Sequence, residues 1–217
     1  MKNKKVNLLI GFISILMLVW IVVTYNKLPD RIPTHWGIDG KVDGYGSKNT
    51  IWLFFGIMVG INFLMILISK IDPKADNYKR FGRAFDIFRA AMTIFFAIIL
   101  GVTLIVSQGN NNIDMGKIIP IMVGVLFIVI GNYMPKFKQN YTMGIKTPWT
   151  LANENVWNKT HRVSGQLWMI GGIIFVILSI FAEAKMLFVL LIVLVTVLSV
   201  VPIVYSYFVY KNEIKNK

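Results

Sequence analysis

Side chains able to do chemistry are few in this 217-residue chain, and they fall into two groups. His161-Arg162 follows Lys146 and Glu154 in one polar stretch, which supplies an imidazole, two cations and a carboxylate. Such a set could grip a phosphate and move a proton. Hydrolysis would also need a nucleophile or an activated water, and Glu154 is the one acid nearby. The imidazole and guanidinium can instead satisfy loop carbonyls or inner-leaflet phosphates, and that structural use suits the surroundings better. The other group is His35-Trp36, with Asp39 and Asp43 close behind. A Trp beside a His at a membrane face serves equally as an interfacial anchor or as part of a docking surface for an extracellular molecule.

Several chemistries fall away at once. With no Cys there is no disulfide, thiolate nucleophile or Cys-based metal site. Gly44-Tyr45-Gly46-Ser47-Lys48 lacks the spacing of a phosphate loop and has no strand ahead of it. Asp39 and Asp43 lack the alternating ligands and distal Glu of a calcium loop, and read as turn-forming Asp-Gly pairs.

The elements that must position these residues are six apolar runs, near Val6–Tyr25, Ile51–Ser69, Ala90–Ser107, Ile118–Tyr133, Leu167–Ala182 and Met186–Val209. About 20 such residues cross a hydrocarbon core of roughly 30 Å. The fourth and fifth are short and borrow length from their flanks. The first follows a basic start, but it is too long for a signal-peptide core and lacks a small-residue cleavage site, so it is retained. At 56% hydrophobic residues, a soluble domain of this length has no way to hide its apolar surface.

The net charge of +13 follows topology. Of the 23 basic residues, six (Lys27, Arg31, Lys41, Lys48, Lys117 and Lys185) fall outside under an N-in reading, Arg89 sits at the mouth of the third run, and sixteen fall inside. Short loops rich in Lys and Arg stay cytoplasmic, so both termini are inside and no direct nucleic-acid partner is expected. His35 then lies outside and His161 inside, too far apart to share a metal. No metal or cofactor is expected.

Within the runs, no Asp, Glu, His or Lys sits in mid-membrane, where an ion-coupled transporter would place one. Asn62, Thr93, Thr103, Gln166, Thr196 and Ser199 are expected to bond between helices. Gly56 and Gly60 form a G-x3-G pair, a close-packing face within the bundle or between protomers of a homo-oligomer. Pro202 is expected to kink the sixth helix.

Two loops are long. The outer one, residues 26–50, is rich in Pro, Gly and Asp-Gly, which forbids regular helix through most of it. The inner one, Gly131–Arg162, is far longer than neighbouring helices require, and its aromatic residues argue against disorder. Thr147-Pro148 is a helix start, with Thr capping free N–H groups and Pro in the first turn. From there Trp149, Ala152, Val156 and Trp157 fall on one helical face, which predicts a short amphipathic helix along the inner membrane surface. It turns through Thr160-His161-Arg162 into the fifth spanning helix. The connector around Asn110–Asn112 is plain.

These residues carry a resemblance to the SdpI family of bacterial membrane proteins. In the inner loop it rests on Gly131-Asn132-Tyr133-Met134-Pro135-Lys136, Asn140-Tyr141, Gly144-Ile145-Lys146-Thr147-Pro148-Trp149-Thr150-Leu151 and Trp157-Asn158-Lys159-Thr160-His161-Arg162. In the outer loop Leu28-Pro29, Ile32-Pro33-Thr34-His35-Trp36, Gly40 and Gly44-Tyr45-Gly46-Ser47-Lys48 are similar to the uncharacterised domain that often precedes that family's own. The resemblance implies immunity against a secreted peptide toxin, and reporting of the toxin by holding a cytoplasmic transcriptional repressor at the membrane. Candidate partner-binding residues on the inner side are Asn132, Pro135, Asn140, Gly144, Lys146, Thr147, Pro148, Trp149, Thr150, Trp157, Thr160, His161 and Arg162. Outer candidates are Pro33, His35, Trp36 and Gly40.

The expected fold is all-α. It is a polytopic membrane protein with six transmembrane helices, N-in and C-in, and a short cytoplasmic interfacial helix. Residues 1–70 form a helix pair with the outer loop, and 71–217 a four-helix region with the signature loop. The expected function is non-enzymatic. The rival reading is a membrane enzyme or transporter for a lipid or cell-wall phosphate precursor, with His161, Arg162 and Lys146 on the phosphate.

Overall fold

The computed structural model describes residues 3–110 and 113–215, so Asn111 and Asn112 of the plain connector lie outside the described residues, as do Lys2 and Lys217 of the sixteen inner basic residues. Among the described residues six helices are long and apolar enough to cross a membrane. They are α1 (Lys4–Thr24), α2 (Thr50–Ile71), α4 (Gly82–Ser107), α5 (Met115–Tyr133), α7 (Glu154–Phe181) and α8 (Ala184–Lys215). Two short helices, α3 (Asn77–Arg80) and α6 (Pro148–Ala152), lie in the connections. The fourth and fifth spans gain their length from polar flanks, as expected. At 1.5 Å per residue α7 and α8 run to about 42 and 48 Å, well beyond a core of roughly 30 Å, so both project past the membrane. Lys159 and Glu213 join their projecting ends at 2.7 Å. Pro202 lies inside α8 without ending it.

The spans form two triplets. α1, α2 and α4 pack together around Met17, Ile21, Met58, Leu100 and Leu104. α5, α7 and α8 pack together, with Phe175 and Leu187 buried among them. α4 and α5 form the seam between the triplets.

Small residues set the closest approach. A Cβ on Gly131 would sit 2.6 Å from the Gly165 carbonyl oxygen, and one on Gly165 would sit 2.7 Å from that of Gly131. Two turns further out, a Cβ on Gly172 would sit 2.7 Å from the Gly124 carbonyl oxygen. The α5 and α7 backbones therefore touch along a shared stripe, as small residues allow between membrane helices. Gly56 and Gly60 behave differently. A Cβ at either would meet nothing within 4 Å, so their face is open and does not pack within the chain.

Polar groups in the spans are mostly local. Asn62 Nδ2 does donate across to Thr93 Oγ1 at 2.7 Å. Thr103 and Thr196 instead donate to carbonyls of their own helices, Ile99 and Ile192, at 2.9 and 2.8 Å. A hydroxyl reaches the carbonyl one turn back without help from a neighbour, which is why the expected interhelical bonds are not made.

The outer loop, expected to be free of regular helix through most of its length, is not irregular. It folds as an antiparallel hairpin of β1 (Arg31–Trp36) and β2 (Val42–Ser47), pairing Ile32 with Gly46, Pro33 with Tyr45 and His35 with Gly44. A strand thus precedes the Gly44–Lys48 segment, and that segment is itself largely strand. Its glycines are clearances. A Cβ on Gly44 would meet His35 Cβ at 2.9 Å, and one on Gly46 would meet Thr34 Cγ2 at 2.9 Å. Lys48 pairs with Asp30 at 3.3 Å and lies over the Tyr25 ring. Gly40, with φ +76°, closes the turn and lies against Gly116 at the start of α5. The hairpin that grows from the first triplet therefore reaches the second.

Replacing Gly131 or Gly165 by Ala forces two backbones apart. Each change is expected to cost about 1–3 kcal/mol, the range for overpacking a closed interface. Thermal unfolding in detergent should show it, with Gly56→Ala unchanged. Equal melting for all three variants would refute the backbone contact.

Candidate functional site

The inner loop is a packed layer rather than a flexible connector. Its centre is Asn140, which is fully buried. Asn140 Oδ1 accepts the N–H groups of Thr142 and Met143 at 2.9 and 2.6 Å, and Nδ2 donates to the Lys138 carbonyl at 2.8 Å. One amide side chain thereby closes a tight turn over residues 138–143. Gln139 continues inward, donating to the carbonyls of Thr150 and Leu151 at 2.7 and 2.8 Å.

The amphipathic helix differs from its sequence reading. Thr147 caps α6 and Pro148 opens it, as the residues predict, and Thr147 and Thr150 exchange side-chain-to-backbone bonds in a capping box. Yet α6 ends at Ala152. Asn153 is extended, at φ −143° and ψ 123°, and its side chain caps α7 through the N–H groups of Asn155 and Val156. Trp149 and Trp157 therefore sit on different helices and share no face. Trp149 packs edge-on against Tyr207 of α8, with ring centroids 5.2 Å apart. Thr147 Oγ1 also meets Ser206 Oγ of α8 at 3.0 Å.

Trp157, Thr160, His161 and Arg162 belong to the projecting first turns of α7. Trp157 is fully buried, donates its indole N–H to the Phe137 carbonyl at 2.8 Å and stacks on His161 with centroids 4.0 Å apart. His161 Nε2 accepts the Ile145 N–H at 3.0 Å, so that nitrogen carries no proton. Nδ1 carries it and donates to the Trp157 carbonyl at 2.8 Å. The ring is the neutral Nδ1–H tautomer, with both nitrogens engaged. Gly144 has φ +100°, and any Cβ there would strike His161, so both its conformation and its neighbour require glycine. Thr160 is buried, and its hydroxyl has no partner among the described residues.

The layer is tied to the first triplet by residues the sequence did not single out. Asp72, just past α2, accepts the Thr142 hydroxyl at 2.8 Å, the Tyr141 N–H at 3.0 Å and the Tyr78 hydroxyl at 3.2 Å on one oxygen. Its other oxygen takes the Lys74 N–H at 2.8 Å. Burial opposes ionisation of Asp72, but these hydrogen bonds outweigh it and hold the carboxyl below the usual carboxylate range. Burial and the neighbouring Asp72 charge push Tyr78 up to about 12, which keeps the phenol a neutral donor. Lys74 reaches the Gln139 side chain, and Asn77 Nδ2 donates to the Gln139 carbonyl at 2.6 Å. Phe137 fits edge-on against Phe81, with centroids 5.5 Å apart. The one available sequence signal was Asp72-Pro73 at the end of an apolar run, a turn former with a side chain free to bond backbone N–H groups.

The remaining candidates are scattered. Asn132 and Pro135 are exposed at the end of α5, with the Pro135 ring against Gly165. Lys146 is exposed and donates to the carbonyls of Tyr141 and Thr142, at 3.3 and 3.0 Å. Arg162 is exposed on α7. His161, Lys146 and Arg162 are thus one buried and two exposed groups that share no partner among the described residues, and no phosphate-gripping triad forms there. On the outer side Pro33 is buried, while His35 is exposed and lies 2.5 Å from Asp43. Trp36, Gly37 and Gly40 line a small recess of about 130 Å³ against the first turns of α5 and α8.

Two changes separate the parts of this layer. Trp157→Ala removes a buried ring and its hydrogen bond and should cost about 3–5 kcal/mol. In inside-out vesicles it should open the loop to trypsin at Lys138 and Lys146 at unchanged membrane levels, whereas Pro148→Ala should not. An unchanged cleavage pattern for Trp157→Ala would contradict the packed layer. For Asp72, a folded value below the unfolded one means its stabilisation is complete above the ordinary 3.8 and is lost as pH falls through the folded value. Asp72→Asn at neutral pH should therefore lose the protection of amides 138–143 against hydrogen exchange, relative to the intrinsic rate, that wild type loses only in acid. Equal exchange in both proteins at neutral pH would remove Asp72 from this role.

Comparison with known proteins adds to this geometry. Residues 136–206 match the SdpI/YfhL protein family, and residues 12–59 match a domain of unknown function, DUF1648. The immunity protein SdpI of Bacillus subtilis (strain 168) is 30% identical over 213 residues, which cover 98% of each chain. An uncharacterized protein of Archaeoglobus fulgidus is 29% identical over 56 residues, 25% of this chain and 31% of its own. No solved structure matches. With likeness to a family member over its whole length, and six spans to carry it in the cell membrane, this chain belongs to the SdpI/YfhL family.

Proposed function

We propose that this protein protects its cell against a secreted membrane-active peptide toxin, and that its inner loop reports the toxin to a cytoplasmic transcriptional repressor. The observation that carries the first part is the likeness to the Bacillus subtilis immunity protein, because it spans both the outer hairpin and the inner layer. The outer side offers an exposed His35, Ile38 and Tyr45 on a hairpin anchored to both triplets. The inner side offers exposed Tyr141, Lys146 and Arg162 around a rigid centre.

A non-enzymatic role fits His161, whose two nitrogens are both engaged and leave no free base. That observation weighs against turnover of a lipid or wall-precursor phosphate. Open Gly56 and Gly60 on α2 offer a face for a second copy of the chain.

Expression in a toxin-sensitive cell should raise tolerance to at least one of a panel of membrane-active peptides. A tag at Asn153 should be reached only after permeabilisation, and one at Asp43 without it. Trp157→Ala should reduce tolerance and repressor recruitment together at equal membrane levels, while His35→Ala should reduce both without opening the inner loop to trypsin. Unchanged tolerance across the panel with normal membrane levels would defeat the immunity reading, and intact recruitment in Trp157→Ala would defeat the signalling one.

A further inference from the structure

On the inner face, the seam between the triplets ends in a basic recess. Around the first turn of α4, a cavity of about 630 Å³ is lined by Lys79, Arg80, Arg83 and Lys136, with Asp86 beside them. That carboxylate is already engaged, 3.0 Å from Arg89 and accepting the Asn3 N–H at 3.0 Å. Lys79 has Asp76 at 2.7 Å, and Arg80 has Glu154 at 3.8 Å and the Asn77 amide oxygen at 3.5 Å. Lys136 lies over the Tyr133 ring, and Arg83 is exposed with no ion pair among the described residues. Cationic charge is therefore in excess.

A second recess of about 200 Å³ adjoins it and is lined by Lys70, Ser69 and Arg89. Arg89 is 4% exposed, and its Nε has no hydrogen-bond partner among the described residues. Gly82, the first residue of α4, lines both recesses, and the first turn has no side-chain cap. Arg89 lies two turns inside α4 and its Nη1 is held by Asp86 and Asn7, so it adds positive potential behind the uncapped first turn, and that potential favours an anion.

Deeper in the membrane the seam turns wholly apolar. A groove of about 350 Å³ between α4 and α5 is lined by Ala91, Ile94, Ile98, Val125 and Val129. Ala84 of the basic recess and Ala91 of the groove are two turns apart on one face of α4. Along that helix Arg83 is about 12 Å from Ala91 and about 22 Å from Ile98. One leaflet contributes roughly 15 Å of the hydrocarbon core, so the groove begins within reach of an acyl chain whose phosphate sits at Arg83.

We propose that this seam binds an inner-leaflet anionic phospholipid, with its phosphate at Arg83 and Lys136 and one acyl chain in the α4–α5 groove. Cations alone would take any anion, and an apolar groove alone would take any lipid. Their succession along one helix face, at headgroup and then acyl depth, selects a molecule with both parts. The bound chain would fill the seam where side chains of the two triplets leave it open.

Native mass spectrometry tests this on purified full-length protein taken from mixed phosphatidylglycerol and phosphatidylcholine bilayers. Wild type should retain one phosphatidylglycerol with a preference of about tenfold or more, the scale expected of two cations near a headgroup. The double variant Arg83→Gln/Lys136→Gln should lose that preference, whereas Lys211→Gln/Lys215→Gln at the end of α8 should keep it. Ala91→Phe, which fills the groove, should weaken retention of both lipids. Thermal melting monitors folding, and Arg83 and Lys136 are exposed enough to be changed without loss of a core. Equal retention of the two lipids, an unchanged preference in the Arg83/Lys136 variant, or full retention in Ala91→Phe would overturn the proposal. Displacement of the lipid by excess inorganic phosphate would also overturn it, by showing a site for free anions.

Discussion

Backbone contact between α5 and α7 fixes the separation of the two points from which the inner loop hangs. Without side chains at Gly124, Gly131, Gly165 and Gly172, the helices close to the distance at which one backbone meets the other. That closure seats Pro135 on Gly165 and places the Phe137 carbonyl within reach of the Trp157 indole N–H. From there the rest of the layer follows in order. Trp157 presents its ring to His161, His161 takes the Ile145 N–H, and the chain between is left just long enough to form the Asn140 turn and α6. A wider helix pair would draw Phe137 away from Trp157 and undo that order.

The chemistry that the inner loop appeared to offer as a string of residues is used up by its own folding. An imidazole that accepts a backbone N–H and donates to a carbonyl is a strut, and the glycine opposite it exists to let it approach. Lys146 similarly closes on the carbonyls of Tyr141 and Thr142. What remains available to a partner is the outer surface of this layer, where charge and aromatic rings are held in fixed positions. Pre-organised surfaces of that kind bind with little loss of conformational freedom.

How much of this could be read in advance depended on how local the cause was. The six spans are set by length and hydropathy within each segment, and they were legible. So was the start of α6, because Thr147 and Pro148 act within one turn. Its end was not, because the helical spacing of Trp149, Val156 and Trp157 outweighed a cap at Asn153 that stands directly before Glu154. The hairpin escaped because Gly44 and Gly46 read as breakers of structure, whereas their role is to clear room for His35 and Thr34 on the facing strand. Asp72-Pro73 marked a turn, but the partners of Asp72 were hidden for a different reason. Its partners Tyr141 and Thr142 lie about seventy positions later in the chain, and nothing near Asp72 announces them.

The two triplets meet through a thin seam of α4 and α5, yet they are joined firmly at both membrane faces. Outside, the Gly40 turn lies on the start of α5, and inside, Asp72, Lys74, Asn77 and Tyr78 hold the 138–143 turn. A change in the relative tilt of the triplets must therefore strain both joints together, because neither loop has slack to absorb it. The outer joint is built from backbone clearances around glycine, which tolerate little displacement. The inner joint is a carboxylate with four donors, whose bonds lengthen as a set. A ligand that bears on the hairpin thus has a mechanical route to the inner layer that needs no rearrangement within any single helix. The route runs through rigid-body motion of one triplet against the other, and the groove at their seam is the place where such motion meets least side-chain resistance.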